Sequence, residues 1–275
     1  MKTIDLHVHS NISDGELSPR EIVEKAVQNQ MDIISITDHD YIDSYESLEE
    51  EYKITILPGI EINTAVRNLH LLGYCMTNFD DLMNLIMEIK QDNEKVCLEV
   101  IKLLQSDFYD ISEEKVRDFI KRIHAKDDVL DKRKLVKYLL DKGYAKSVLD
   151  AYRSLIGVGQ KYYIPIRKID PIEVINLIRS GGGYAVLAHP RSLNLDQDSL
   201  RELILNLEKN GLYGVEIENI NNQQLNYAYY DGLLKDTDLL CTFGSDFHSK
   251  QDPFGVDIEE KYYSEIEKRL ILQRK

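Results

Sequence analysis

Cysteine is scarce. Cys75, Cys97 and Cys241 are the only three in 275 residues, and no two form a CxxC pair. An odd, scattered set excludes a disulfide-stapled fold and fits a reducing cytoplasm, where such thiols read as small apolar core residues. Proline is also rare, at six, and glycine stands at 14, which excludes a fibrous or disordered chain. No apolar run is long enough to span a bilayer, so no membrane partner is expected. The opening segment runs directly into a charged strand pattern, unlike a signal peptide. Internal repeats and low-complexity tracts are absent. What remains, at 43% hydrophobic, suits one large α/β domain or a domain with an insertion.

Positive charge is in short supply overall, with a formal net charge of −14. That balance argues against a long nucleic-acid groove, so duplex DNA is not expected as a partner. The deficit is uneven. Lys115–Lys168 carries 15 Lys and Arg against 6 Asp and no Glu, a local excess of nine positive charges. Such an island is either a solvated helical surface or a place where an anion binds.

The stretch "TIDLHVHS" alternates as a strand. In "SPREIVEKAVQNQ", Ser18 caps a helix, Pro19 takes its first position and Glu21 completes a capping box. "MDIISITDHD" reads as a buried strand ending at Asp38-His39-Asp40, "ITILPGIEIN" as one ending at Glu61, and "LHLLGYC" as one holding His70. This rhythm predicts parallel βα units. From about Asp80 to Gly159 the pattern is helical, in segments beginning "DDLMNL", "SEEKVR", "DKRKLV" and "AKSVLD". The βα rhythm returns with the helix "DPIEVINLIRSGGG", where Asp170 caps and Glu173 is its capping-box partner. The strands "YAVLAHP", "LYGVEIEN" and "LLCTFGSDFH" follow, ending at His189, near Glu216 and Glu218, and at Asp246 and His248.

Six of the seven histidines, His7, His9, His39, His70, His189 and His248, lie in or at the ends of these strands. His124 falls on an insertion helix and reads as a surface residue. In a parallel α/β fold the C-terminal strand ends gather at one face, so residues distant in sequence converge there. Asp14, Glu61 and Asp246 sit at the same kind of position. His7 and His9 flank Val8, so both rings leave one face of a strand. Unpaired buried carboxylates would cost several kcal/mol, and divalent cations offset that cost. A nitrogen and oxygen donor set without thiolate suits Mn²⁺, Zn²⁺ or Fe²⁺ over Ca²⁺. Asp5, Asp38 and Asp40 are candidates for orienting the histidines, with one of the three at most expected to do so.

The motifs "DLHVHSNISDG", "SITDHD", "PGIEI", "HLLGY", "VLAHP" and "TFGSDFH" resemble, in this order, those of the PHP (polymerase and histidinol phosphatase) family. The resemblance implies a distorted (β/α)7 barrel over 1–78 and 160–275, with a helical insertion at 79–159 acting as a substrate cap. It also implies a site for three divalent cations. Carried over position by position, His7, His9, Glu61 and Asp246 would hold the first. Glu61, His70 and His189 would hold the second. Asp14, His39 and His248 would hold the third; some relatives have histidine where Asp14 stands. The insertion ending "GVGQKYYIP", followed by "GGGYAVLAHP", resembles the nucleotide branch, whose members remove the 3′-phosphate of nucleoside 3′,5′-bisphosphates or trim short RNA from its 5′ end.

That resemblance implies phosphate ester hydrolysis by a hydroxide held between two cations that Glu61 bridges, with Asp246 among the ligands. His39 or His248 would return a proton to the leaving oxygen. Lys132, Arg133, Lys134 and Arg191 would hold a second phosphate of a small nucleotide or short RNA end. Relatives often carry Arg-Pro-His where this chain has Lys132-Arg133-Lys134, and Gly-Arg after the "AHP" that Arg191 here follows directly. These departures touch the substrate and leave the metal chemistry alone. Histidinol phosphate, C–N bond hydrolysis of the amidohydrolase kind, and a non-catalytic binding role are the alternatives.

Overall fold

The computed structural model describes residues 1–45, 48, 52–107, 109–123, 129–217 and 227–272. The chain divides into two units, Met1–Met83 with Ile169–Lys275, and Asn84–Lys168.

The first unit is a mixed α/β assembly. Its strands are β1 (Lys2–Val8), β2 (Ile33–Ile36), β3 (Thr55–Ile56), β4 (Gly59–Asn63), β5 (His70–Tyr74), β6 (Tyr184–Leu187), β7 (Gly214–Glu216), β8 (Leu240–Thr242) and β9 (Val256–Ile258). They form a four-stranded sheet, β3-β2-β1-β9, and a five-stranded sheet, β4-β5-β6-β7-β8. Single backbone bridges pair Val8 with Phe247 and His39 with Glu61 across the two sheets, and neither sheet closes on itself. Helix α1 (Pro19–Gln28) begins with the expected reciprocal Ser18–Glu21 capping box. Its Ile22, Val23 and Ala26 join Val8, Ile34, Ile36 and Phe247 in a buried core.

Two expectations need correction. The sheets are not wholly parallel: β4 pairs antiparallel with β5, β5 with β6, and β1 with β9. "LPG" is the reason the "ITILPGIEIN" segment splits. Pro58 has no N–H for a ladder and restricts Leu57 before it, so the strand breaks into β3 and β4. Tyr45 repairs the gap. Its hydroxyl takes the N–H groups of Ile36 and Gly59 at 3.0 and 2.9 Å and lies 2.6 and 2.7 Å from the carbonyls of Ile36 and Leu57.

The second unit contains most of α2 (Asp80–Ser106), then α3 (Glu113–Arg122), α4 (Lys132–Asp141) and α5 (Val148–Ala151). They enclose their own core, in which Val100, Leu104, Val116, Leu135, Tyr138, Leu139 and Ile156 are buried. Each such side chain contributes about 1.5–3 kcal/mol on burial, so the unit has an apolar centre of its own. Helices α6 (Pro171–Ser180), α7 (Gln197–Lys209), α8 (Tyr227–Leu233) and α9 (Glu260–Ile266) complete the first unit. Asp170 caps α6 through the Ile172 N–H at 2.8 Å. Among the described residues no helix is long and apolar enough to cross a membrane.

Candidate metal centre

One rim of the first unit gathers the strand-end residues. β1 ends at Val8, so His7 and His9 lie at its C-terminal end, and both are fully buried. His39 follows β2, Glu61 is the third residue of β4, His189 follows β6, and Asp246 and His248 follow β8. His70 reaches the same rim differently. It opens β5, and because β5 runs antiparallel to β4 and β6, its beginning lies where theirs end. Asp14 arrives on the loop after β1.

These residues form three groups whose donor atoms lie within 4.8 Å of one another: His7, His9, Glu61 and Asp246; His39, Glu61 and His70; and His9, Asp14, His39 and His248. Glu61, only 1% exposed, is the hub. Its Oε1 lies 2.9 Å from His70 Nδ1 and 3.0 Å from His189 Nε2. Its Oε2 lies 3.1–3.3 Å from His39 Nδ1, His9 Nε2 and His7 Nε2. Asp246 Oδ1 is 3.1 Å from His9 Nε2, and Asp14 Oδ1 is 3.4 Å from His248 Nε2. The floor is closed and the rim is open: the Asp14, Asp246 and His248 side chains are 39%, 45% and 34% exposed.

The donor atoms suit cations. His9 Nδ1 and Glu61 Oε2 are buried without a hydrogen-bond partner. His7 Nε2 and His9 Nε2 face each other at 3.1 Å, and the His9 and His248 rings stack with centroids 4.2 Å apart. Like groups so close repel unless something positive lies between lone pairs. Burial works against charge on His7, yet Glu216, Glu61 and Asp246 outweigh it and push its pKa well above 6.5. Burial would raise Glu61, but His7 and His39 hold it well below the usual carboxylate range. Asp14 and Asp246 are likewise held low by neighbouring histidines against the effect of burial. The carboxylates therefore stay charged and the site demands compensating cations, as protons or metal ions.

Glu216, the last residue of β7, is the important partner that strand-end reading left unassigned. Its carboxylate oxygens lie 3.0 and 3.2 Å from His7 Nδ1, and Oε2 accepts the His189 N–H at 2.7 Å. It thus fixes which His7 nitrogen faces the cluster. Gly244 makes room for it, since a Cβ there would collide with His7 Cβ and come within 2.6 Å of Glu216 Oε1. Asp5 and Asp38 act on backbone and loops. Asp5 accepts from Ser245 N and Oγ, Gly255 N and, at 3.3 Å, His7 N. Asp38 accepts from Ser10 N and Oγ, Ser13 Oγ and Ser44 Oγ, anchoring the loop that carries Asp14. Asp40 has φ +57° and lies 3.4 Å from Asn63 Nδ2. His189 and Asp246 also have positive φ, at +25° and +54°. Strained backbone of this kind gathers at functional sites. His124 and Glu218 lie outside the described residues.

The cations expected to meet substrate are distributed as follows. Lys132, Arg133 and Lys134 form the first turn of α4, capped by Asp131. Lys132 Nζ donates to the Ile164 carbonyl at 2.8 Å and Lys134 Nζ to that of Val129 at 2.6 Å, so both are engaged within the second unit. Arg133 is exposed. Arg191 lies in the first unit, in the turn Pro190–Leu193 just after His189.

This chain is 28% identical to a 5′-3′ exoribonuclease of Haemophilus influenzae over 260 residues, covering 90% of each chain. It is 23% identical to a 3′,5′-nucleoside bisphosphate phosphatase of Chromobacterium violaceum over 255 residues, covering 90% of this chain and 88% of that one. A Bifidobacterium adolescentis protein, provisionally described as a metal-dependent phosphoesterase, shares its fold with a TM-score of 0.70 at 23% identity, over 99% of this chain and 98% of the other. The PHP domain family matches residues 5–162, more than half the chain, and the protein belongs to that family.

Proposed function

We propose that the protein hydrolyses a phosphate ester of a nucleotide, either the 3′-phosphate of a nucleoside 3′,5′-bisphosphate or the 5′ end of a short RNA. The observation that carries this reading is the convergence of six imidazoles on Glu61, Asp14 and Asp246, with buried donor atoms left unpartnered. The nucleotide class rests on the two named relatives, each aligned over 90% of this chain.

Three divalent cations, as Mn, Zn or Fe, would be held by His7, His9, Glu61 and Asp246; by Glu61, His70 and His189 beside His39; and by Asp14, His39 and His248. Bound there, such ions lower the pKa of a water and neutralise charge on phosphoryl oxygens. Glu61 supports two positions because its two oxygens face different histidines. Where it does not hold the third cation, His248 is assigned the proton for the leaving oxygen: its Nδ1 lies 2.8 Å from the Asp246 carbonyl and it is more exposed than His39. Arg191 is the cation assigned to a second phosphate; in the second unit Lys132 and Lys134 shape the α4 turn on which Arg133 is exposed. The bridges between the two sheets support reading the first unit as a distorted (β/α)7-type barrel that is open at its seams. The absence of disulfides among Cys75, Cys97 and Cys241 supports a cytoplasmic setting.

The test is phosphate release with Mn²⁺ from adenosine 3′,5′-bisphosphate, a 5′-phosphorylated RNA dinucleotide, histidinol phosphate and glycerol phosphate, with Asp246→Ala alongside. Turnover of either nucleotide, lost in the variant, is expected. Turnover of histidinol phosphate or glycerol phosphate alone would overturn the substrate and keep the site.

A further inference from the structure

The first unit holds a cavity of about 460 Å³ lined by Arg191, Asn194, Leu195, Gln197, Leu200 and Tyr229. Its size is within the range of small-ligand sites. Its wall is tied to the cluster. Arg191 is two residues past His189, a backbone reach of at most about 7 Å. Ser192 Oγ lies 3.0 Å from His189 Nδ1, and Ser192 and Asn68 exchange hydrogen bonds at 2.9 and 3.0 Å. Arg201 of α7, the helix that carries Gln197 and Leu200, donates to the Lys235 carbonyl at 2.7 Å, just past the helix α8 that carries Tyr229.

The lining has a particular chemistry. Tyr229, Leu195 and Leu200 offer apolar and aromatic surface. Asn194 and Gln197 each present a donor and an acceptor side by side. Arg191 supplies the single cation, and no carboxylate lines the cavity among the described residues. A ligand bearing an ammonium group, such as an amino alcohol phosphate, would find a like charge in Arg191 and no carboxylate among the described lining residues. A neutral, flat ring with donors and acceptors on its edge, joined to a phosphate, matches every wall. Amides pair with the edges of bases, and tyrosine stacks on their faces.

Building on the proposed nucleotide activity, we infer that this cavity seats the nucleoside part of the substrate. Tyr229 stacks on the base, Asn194 and Gln197 meet its edge, and Arg191 faces the sugar-phosphate side.

The experiment compares wild type, Tyr229→Ala, Tyr229→Phe and Gln197→Ala. It measures AMP binding by calorimetry, and kcat/KM for adenosine 3′,5′-bisphosphate and for glycerol phosphate, which has no base. In Tyr229→Ala the preference for the nucleotide over glycerol phosphate should fall by about tenfold or more, chiefly through KM. AMP binding should weaken in parallel, and Tyr229→Phe should restore both. Unchanged preference and unchanged AMP affinity in Tyr229→Ala and Gln197→Ala, with nucleotide still cleaved, would overturn the pocket and leave the activity standing. Cleavage of glycerol phosphate with no nucleotide turnover and no AMP binding would overturn both. Binding of AMP, which needs no turnover, decides the pocket even if no ester is cleaved.

Discussion

Glu216 makes no more than a few contacts, yet it holds two members of the cluster at once, through the His7 ring and the His189 N–H. The contact to the His7 ring is buried and the one to the His189 N–H is partly buried, so water competes little with the first and only in part with the second. Replacing it by alanine removes the anchor that selects the His7 tautomer and leaves a backbone donor unsatisfied. We expect Glu216→Ala to weaken Mn²⁺ affinity by about 10–100-fold, read by metal titration, with activity recovering at excess metal. Unaltered metal affinity would mean that the carboxylate only fills space. Glu216 was visible in the sequence as an acid at a strand end. Side chains two apart share a face, so alternation alone cannot choose between Glu216 and Glu218. The choice depends on which one meets a histidine 209 residues away.

At the level of elements, local rules account for much of the frame. Ser18, Pro19 and Glu21 start α1 as their spacing demands. The four expected helical segments between Asp80 and Gly159 all carry helix. Strand direction is another matter. Nothing in "LHLLGY" says that β5 runs against its neighbours, and that reversal is what brings His70 to the rim. The segment after β8 is equally context-bound. Gly244 allows it to cross His7 and Glu216, and Asp5 then grips Ser245 so that Asp246 turns inward. A methyl group at Gly244 has nowhere to go. We expect Gly244→Ala to displace His7 or the loop, lowering Tm and bound metal together, with circular dichroism melts and metal analysis as the readouts. A stable, fully metallated variant would refute this packing argument.

For the whole molecule, the cluster couples stability to pH and to metal. Burial lowers the pKa of His248, but Asp14 and the Asp246 carbonyl outweigh it and raise it from 6.5 to about 9. A raised histidine pKa stabilises the metal-free fold most below about pH 6.5, and that contribution is lost as pH rises through about 9. A metal ion held by His248, as proposed, would displace the same proton. The Tm of the chelated protein should therefore fall between pH 6.5 and 9, while the gain in Tm on adding Mn²⁺ should grow over that window. Differential scanning at pH 6, 7.5 and 9, with and without chelator, checks the sign. A metal-induced gain that is flat with pH would detach His248 and Asp14 from the metal.

Short-range chemistry was legible in the sequence itself. HxH alternation, capping residues, the proline that opens α1 and the recurrence of His, Asp and Glu at strand ends all operate over a few residues. They identified His7, His9, Asp14, His39, Glu61, His70, His189, Asp246 and His248, which the fold then brings to one rim. Tertiary structure alone decided the rest. It set the direction of β4 and β5, the division into two sheets, the engagement of Lys132 and Lys134 by carbonyls, and the clamp of Glu216 on His7. Each of these depends on hydrogen bonds between segments far apart in the chain. A residue's local pattern fixes which way its side chain can point, but the partner it meets is set by how distant strands pair.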